Sequence, residues 1–344
     1  MPSFIEGPYL RDLLEQAAAV KATVSELRRS ALASRVRDLC AEVTRPIVLT
    51  GMGSSLHALH ALSTPLNQSG RRAMMVETSE LVFYSPEVLT GAVLIAVSQS
   101  GRSAEIVRLM SWRPKDCAVL AVTNTPGSIL AERADLCVWM KAGDEFSVSS
   151  KTYVATLAAL AWLGEVICGG PGDDALHRIE SALPWMEQYL ANWRWHAESL
   201  AGRLTGVRRL FLAGRAESLA ASATGGLIIK EAAHFHAEGM SAAAFRHGPL
   251  EMLDEQTLLI VFSGGERTRE LNLRLAADIH AAGGHAEIIG EEAALEAMCL
   301  PPAPVAARPL LEILPVQMVT LALAALAGRE AGRFERAAKV TVVE

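Results

Sequence analysis

Short apolar runs, rich in valine, isoleucine and leucine, alternate along the chain with longer segments rich in alanine and leucine. Short runs bounded by glycine, proline and polar residues are typical of buried strands, and the longer segments are typical of helices. Their alternation predicts an α/β fold with a parallel β-sheet flanked by helices on both faces. The predicted strands are 47–50, 74–77, 93–98, 117–123, 136–140, 210–213 and 259–263.

Two of these runs recur. Run 210–213 follows run 47–50, and run 259–263 follows run 94–98, each at a spacing of roughly 165 residues, which indicates a duplicated unit. We therefore expect two tandem three-layer αβα domains. We place an N-terminal helical segment at 1–30, a first domain at 31–190 and a second domain, with the C-terminal tail, at 191–344.

Composition narrows the class of protein. The chain has 344 residues and a formal net charge of −6, and its lysines and arginines are scattered, which argues against a nucleic-acid surface. The apolar tract 309–328 contains Glu312, Pro315 and Gln317, so we expect a buried helix rather than a membrane span. No leader peptide is visible at the N-terminus. These features favour a cytoplasmic metabolic enzyme without a membrane or nucleic-acid partner.

The cysteines are odd in number and widely spaced, with no C-x-x-C pair. This pattern favours reduced core thiols over a disulfide framework or a zinc site. The five are Cys40, Cys117, Cys137, Cys168 and Cys299.

Two turns after predicted strands are candidates for anion binding. The first strand is followed by Gly51-Met52-Gly53-Ser54-Ser55 and a predicted helix. Glycine permits a sharp turn, a helix N-terminus presents unpaired N–H groups, and the hydroxyls of Ser54 and Ser55 can add to them. The same serines could instead only cap their own helix, and the sequence leaves both interpretations open.

The second candidate turn, 98–103 (Ser-Gln-Ser-Gly-Arg-Ser), follows the third strand and carries more hydroxyls than capping needs. Both turns leave carboxyl ends of parallel strands, where ligands bind in open α/β sheets, so they can converge on one anion. The G-x-G-x-x-G and G-x-x-x-x-G-K-[ST] motifs are absent, which excludes the usual dinucleotide and P-loop sites. We expect no cofactor.

Taken together, Gly53-Ser54-Ser55, the run 98–103 and the run 145–151 (Glu-Phe-Ser-Val-Ser-Ser-Lys) resemble the sugar isomerase (SIS) domain family. The likeness is strongest to the isomerase part of the glucosamine-6-phosphate synthases (glutamine–fructose-6-phosphate aminotransferases) and covers nearly the whole chain. It implies two tandem SIS domains acting on a sugar phosphate. It also implies that the sugar is touched by Val148 and Ser150, and that the phosphate is held by Ser55, Ser98, Gln99, Ser100 and Ser103.

The resemblance also implies the catalytic groups. Glu231 and His247 lie sixteen positions apart and match the family's proton-transfer pair, and Lys339 matches a tail lysine that assists ring opening. A carboxylate can move a proton between neighbouring carbons, and histidine suits proton transfer to and from ring oxygens. His247 would reach a neighbouring subunit's site, so we expect at least a homodimer with shared active sites.

Each of these residues also has a structural interpretation. A glutamate on an alanine-rich helix is usually solvated, a histidine before Gly-Pro is often a loop residue, and a tail lysine is often in solvent. His234 and His236 could suggest a metal, but on a helix such a pair points in nearly opposite directions, so we expect no metal site.

The sequence departs from the synthases at three places. Ile228 stands where they have a second lysine, one helical turn before the glutamate, and Lys230 cannot replace it because it lies on another side of the helix. The run 332–335 replaces an Asp-x-Pro-Arg motif. We expect no glutaminase domain, because Met1-Pro2 offers no N-terminal cysteine nucleophile. We therefore do not expect glutamine-dependent synthase activity.

Three functions remain open. The first is a phosphosugar isomerase of amino sugar metabolism that deaminates a hexosamine 6-phosphate. The second is a deglycase that cleaves a fructosamine 6-phosphate, which Ile228 favours. The third is a non-catalytic sugar-phosphate sensor, which would keep the serine turns without needing Glu231 and His247.

Overall fold

The computed structural model describes residues 3–336 and 338–339. All paired strands are parallel, as predicted. The strands are β1 Ile47–Gly51, β2 Ala73–Glu77, β3 Val93–Val97, β4 Ala118–Thr123, β5 Leu136–Trp139, β6 Arg209–Gly214, β7 Ala237–Ser241, β8 Thr257–Phe262 and β9 His285–Ile289.

Helices connect and cover the strands, with short 3-10 turns at Pro86–Leu89, Pro249–Met252 and Glu296–Met298. The α-helices are α1 Pro8–Leu14, α2 Gln16–Arg29, α3 Leu32–Leu39, α4 Gly53–Ala58, α5 His60–Gln68, α6 Thr78–Phe83, α7 Ala104–Trp112, α8 Ile129–Arg133, α9 Lys151–Ile167, α10 Asp173–Ala191, α11 Trp193–Leu204, α12 Ser218–Ala233, α13 Ala242–Phe245, α14 Glu266–Ala281 and α15 Arg308–Leu326.

The chain divides into two compact units. The first-sheet unit comprises Glu15–Glu145, Ser149–Ser181 and the described tail residues from Arg336. The second-sheet unit comprises Ala182–Glu335, the start of the chain up to Leu14, and Phe146–Val148. The domain boundary expected near residue 190 stays a prediction.

The first-sheet unit contains a five-stranded sheet in the order β2-β1-β3-β4-β5. On one face, Val48, Leu94 and Val119 pack with residues of α6, α7 and α8. On the other side, α9 is buried over almost its whole length and packs against α2, α4 and α5. This order reverses direction between β1 and β3, and ligands bind at that point in sheets of this kind.

The second-sheet unit contains a four-stranded sheet in the order β7-β6-β8-β9. Phe211 of β6 and Leu259 of β8 pack on Phe245 of α13 and on α14. α12 lies against β6 and β7, and α15 packs on α12 and α11. The repeated arrangement confirms the expected α/β fold with helices on both faces of each sheet.

Two strands were not expected from the sequence. β7 and β9 lie at the two edges of the second sheet, and β7 is only partly buried. β7 contains Glu238 and β9 contains Glu287, so both lack a continuous apolar run, unlike the edge strands β2 and β5 of the first sheet, which were predicted.

α15 is the described helix that is long and apolar enough to span a membrane by length and composition, but 94% of its 18-residue window is buried inside the protein. Because it packs on α11 and α12, it is a core helix of the second-sheet unit, as expected.

Two expectations were wrong. α12 ends at Ala233, His234 adopts a left-handed conformation with φ of 51°, and His236 immediately precedes β7, so neither histidine lies on a helix. Cys40 and Cys117 are buried as expected, but Cys168, after the end of α9, is exposed.

Candidate functional site

The two predicted anion-binding turns lie side by side at the carboxyl edge of the first sheet. β1 and β3 are neighbours in register, with Thr50 beside Ala96. A Cβ atom at Gly51 would stand only 3.1 Å from the Val97 carbonyl oxygen, so glycine permits the close approach of the two strand ends. The turns therefore meet at the reversal point of the sheet.

Two of the serines in the 98–103 turn shape its backbone. Ser98 Oγ accepts a hydrogen bond from the Gly101 N–H at 3.1 Å, and Ser100 Oγ accepts one from the Arg102 N–H at 3.3 Å. Gly101 has φ of 59°, and a Cβ there would lie 2.2 Å from Ser128 Oγ, so the turn needs glycine. Each hydroxyl that accepts still has a proton to donate.

Ser103 differs from the other serines of the turn. It occupies the N-cap position of α7, yet its side chain makes no capping hydrogen bond. Its Oγ atom is buried, with no hydrogen-bond partner among the described residues. A buried hydroxyl without a partner is unfavourable, so this group is available to a ligand at the N-terminus of α7.

The capping interpretation does not describe Ser54 and Ser55. Met52 occupies the N-cap position of α4, and both serines lie half-buried in the helix's first turn. Gln99 is held by its backbone oxygen, which accepts hydrogen bonds from Thr125 Oγ1 at 3.0 Å and the Asn124 N–H at 3.2 Å. The structure thus brings together the six predicted phosphate residues, Ser54, Ser55, Ser98, Gln99, Ser100 and Ser103.

Sequence reasoning assigned no role to Glu145, which organises the following loop. Its side chain is 1% exposed, and it accepts hydrogen bonds from the N–H and Oγ of Ser150 and from the N–H and Oγ1 of Thr152. Lys339 Nζ forms an ion pair with it at 2.9 Å. An acid just before a serine- and threonine-rich helix start was the available signal, because carboxylates cap such N-termini.

The remaining predicted residues belong to the second-sheet unit. Val148 is buried there. Glu231 is half-buried in the last turn of α12, and His247 is exposed in the turn after α13. Ile228 is fully buried, and Lys230 is turned to solvent, 3.3 Å from Glu238.

The equivalent edge of the second sheet, after β6 and β8, is occupied by the chain's own charged groups. Arg308 forms an ion pair with Glu217, and Ser218 Oγ donates to Glu312 Oε1 at 2.7 Å. Burial raises the pKa of Glu312 to about 7, against the lowering effect of Ser218 and Arg308. The duplicated edge therefore differs chemically from the serine-lined edge.

Over residues 3–336 and 338–339, no group of three or more histidine, cysteine or acidic side chains is placed to hold a metal ion. The donors described at the serine-lined edge are hydroxyls and backbone N–H groups. These groups suit an anion.

The SIS domain family model matches residues 43–165 and 203–327. The glutamine–fructose-6-phosphate aminotransferase of Pyrococcus horikoshii is 29% identical over 97% of this chain, and that of Thermococcus kodakarensis is 26% identical over 97%. The chain spans 57% and 58% of the length of these relatives.

Solved structures share the fold. The C-terminal domain of the Francisella tularensis glucosamine-fructose-6-phosphate aminotransferase aligns with a TM-score of 0.78 at 21% identity, covering 96% of this chain and 98% of that domain. The Thermotoga maritima glucosamine-6-phosphate deaminase aligns with a TM-score of 0.76 at 17% identity, covering 98% and 100%. With the family model matching both sheets and most of the sequence, this chain belongs to the SIS domain family.

Proposed function

We propose that this protein is a sugar-phosphate isomerase that deaminates a hexosamine 6-phosphate, yielding a ketose phosphate and ammonia. The observation that carries the proposal is the buried, unpartnered hydroxyl of Ser103 beside the N–H groups of α7. Donors of this kind, grouped at the reversal point of a parallel sheet, suit a phosphate group. Ser54, Ser55, Ser98, Gln99 and Ser100 would complete the cradle.

The reaction requires a proton to move between two carbons. In the open-chain sugar the carbonyl is at C1 and the amine at C2. Glu231 would take the proton from C2 while O1 gains a proton, giving an enolamine. Return of a proton to C1, with loss of one from the nitrogen, then leaves an imine at C2 and a hydroxyl at C1. Water then hydrolyses the imine to the ketone and releases ammonia. This use of one carboxylate is general base and general acid catalysis.

Two further residues would open the sugar ring. His247 would protonate the ring oxygen, and Lys339 would assist. The ion pair between Lys339 and Glu145 supports this role, because Glu145 also holds Ser150. The exposure of His247 supports the proposal that it serves the site of a second copy in a homodimer. We expect the protein to act in the cytoplasm.

Ile228 bears on which reactions we propose for this site. A buried isoleucine offers no amine near Glu231, so we do not propose glutamine-dependent synthesis. The same residue favours one second candidate, a deglycase acting on a fructosamine 6-phosphate, because such a reaction moves a proton between C1 and C2 before water cleaves the C–N bond and takes up no ammonia.

The test is an assay of ammonia release from glucosamine 6-phosphate and galactosamine 6-phosphate, run beside amino-acid release from fructosamine 6-phosphates. We expect ammonia release, and a loss of about a hundredfold or more in kcat for Glu231→Gln, since the general base is removed. Glu238→Gln, an exposed acid of the same unit, is the control and should retain activity.

Amino-acid release alone would replace the proposal by the deglycase. Absence of turnover with every substrate would favour a sugar-phosphate sensor. Full activity of Glu231→Gln would overturn the catalytic assignment.

A further inference from the structure

Glu145 is a buried carboxylate with an unusual number of partners. One oxygen, Oε1, accepts from the Ser150 N–H at 2.9 Å, Ser150 Oγ at 3.2 Å and the Thr152 N–H at 3.0 Å. The other, Oε2, accepts from Thr152 Oγ1 at 2.6 Å and from Lys339 Nζ at 2.9 Å. All these residues belong to the first-sheet unit.

The two carboxylate oxygens of Glu145 therefore bind different parts of the chain. Oε1 binds N–H groups at the start of α9 and fixes the loop that presents Ser150. Oε2 accepts from the amine of Lys339, a cationic partner of Glu145. A buried carboxylate is stable only with hydrogen bonds and a counter-charge, and here the loop supplies the first and the tail the second.

We propose that Glu145 is a positioning residue that holds Lys339 against the loop carrying Ser150, so that one carboxylate sets the place of both groups. This inference rests on the proposed function for the roles of Ser150 and Lys339. Glu145 itself acts through these neighbours.

The geometry allows the two attachments to be separated. In Glu145→Gln, the amide oxygen can take the place of Oε1 and keep the loop, while the NH2 group can donate to Thr152 Oγ1 but cannot accept from Lys339. Thr152→Val is the matched control, because it removes a hydrogen bond of the loop and leaves the ion pair with Lys339 in place.

The first measurement does not depend on activity. Limited trypsin digestion of the full chain, followed by mass spectrometry, reports the rate of cleavage after Lys339. We expect Glu145→Gln to be cut about tenfold faster than the wild type, because local release exposes the site, and Thr152→Val to be cut at nearly the wild-type rate. Equal rates for Glu145→Gln and the wild type would overturn the proposal.

The second measurement is kinetic, with the hexosamine 6-phosphate that the wild type turns over. Glu145→Gln should lower kcat about tenfold and change KM less than about threefold. Adding Glu145→Gln to Lys339→Met should cost no further kcat, because the two act as one unit. Additive losses would overturn the positioning role. If the wild type turned over no hexosamine phosphate, the proposed function would fail and the trypsin result would still decide whether Glu145 anchors the tail.

Discussion

At the scale of single residues, Ser98 and Ser103 have different parts in one turn. Ser98 Oγ accepts the Gly101 N–H and so supports the backbone, whereas Ser103 Oγ is buried with no partner in the described chain. Removing a hydroxyl that has no internal partner costs the folded protein little, while removing one that satisfies an N–H leaves that donor unpaired.

Ser103→Ala should therefore weaken phosphate binding about tenfold without lowering the melting temperature. Ser98→Ala should lower both the phosphate affinity and the melting temperature, because the Gly101 N–H loses the hydroxyl that accepts its hydrogen bond. Titration calorimetry with inorganic phosphate and thermal unfolding without ligand measure the two effects. Unchanged phosphate affinity in Ser103→Ala would contradict the assignment of this hydroxyl to the ligand.

The sequence allowed the serines at the carboxyl edge of the first sheet to be located, because their spacing after strands is local information, and their role as phosphate ligands stays a prediction. It left the choice between capping and ligand binding at Ser54 open, since that choice depends on which residue occupies the N-cap. The role of Glu145 could not be predicted from the pattern, because Lys339 lies far along the chain and meets it only in the folded protein.

At the scale of elements, α15 carries an acid inside an otherwise apolar helix. Its apolar pattern predicted a buried helix, and the side chain of Glu312 is 1% exposed. Burial raises the pKa of this carboxyl from 4.5 to about 7. The folded protein therefore holds a proton on Glu312 over a pH range in which the unfolded chain has released it.

This difference predicts a pH dependence of stability. As pH rises from about 4.5 to 7, the unfolded state ionises Glu312 more readily than the folded state, so the free energy of unfolding falls; above pH 7 the loss is complete. The total is about 3 kcal/mol. Glu312→Gln has no carboxyl to ionise at this position. The free energy of unfolding of the variant, compared with that of the wild type, should therefore rise between pH 5 and pH 7.

Urea unfolding of both proteins at several pH values tests this. Glu270→Gln on α14, an exposed acid removed in the same way, is the control and should run parallel to the wild type. Parallel curves for Glu312→Gln as well would contradict the prediction.

Among the described residues, seven of the nine strands were predicted, and the reason for the other two is physical. Strands such as β3 and β8 are buried at each residue and appear as continuous apolar runs, whereas β7 and β9 are interrupted by Glu238 and Glu287. The end of α12 at His234 was missed because a left-handed residue that is not glycine has no strong sequence signal.

At the scale of the whole molecule, the duplication was visible as a repeated spacing of apolar runs, and the family model matches both halves. The side chains at the carboxyl edges of the two sheets could not be predicted equally well from the sequence. Arg308, which pairs with Glu217 at the edge of the second sheet, comes from a helix late in the chain. A charge brought in from such a distance leaves no local motif.

The two edges predict the number of phosphate sites. The serine-lined edge offers donors to an anion, whereas the second edge already contains paired charges, and a phosphate there would face Glu217 and Glu312. Titration calorimetry with inorganic phosphate should give one site per chain. Two sites of similar affinity would contradict this difference between the halves.

The ion pair of Arg308 and Glu217 also bears on which of the two units a bound phosphate would stabilise. A ligand stabilises the part of a protein that binds it, in proportion to its occupancy. Under the proposed function the first-sheet unit would take its anion from solution, whereas the second-sheet unit carries an acid and its counter-ion, Glu217 and Arg308, within its own sequence. We therefore expect phosphate to protect the first-sheet unit against unfolding more than the second-sheet unit.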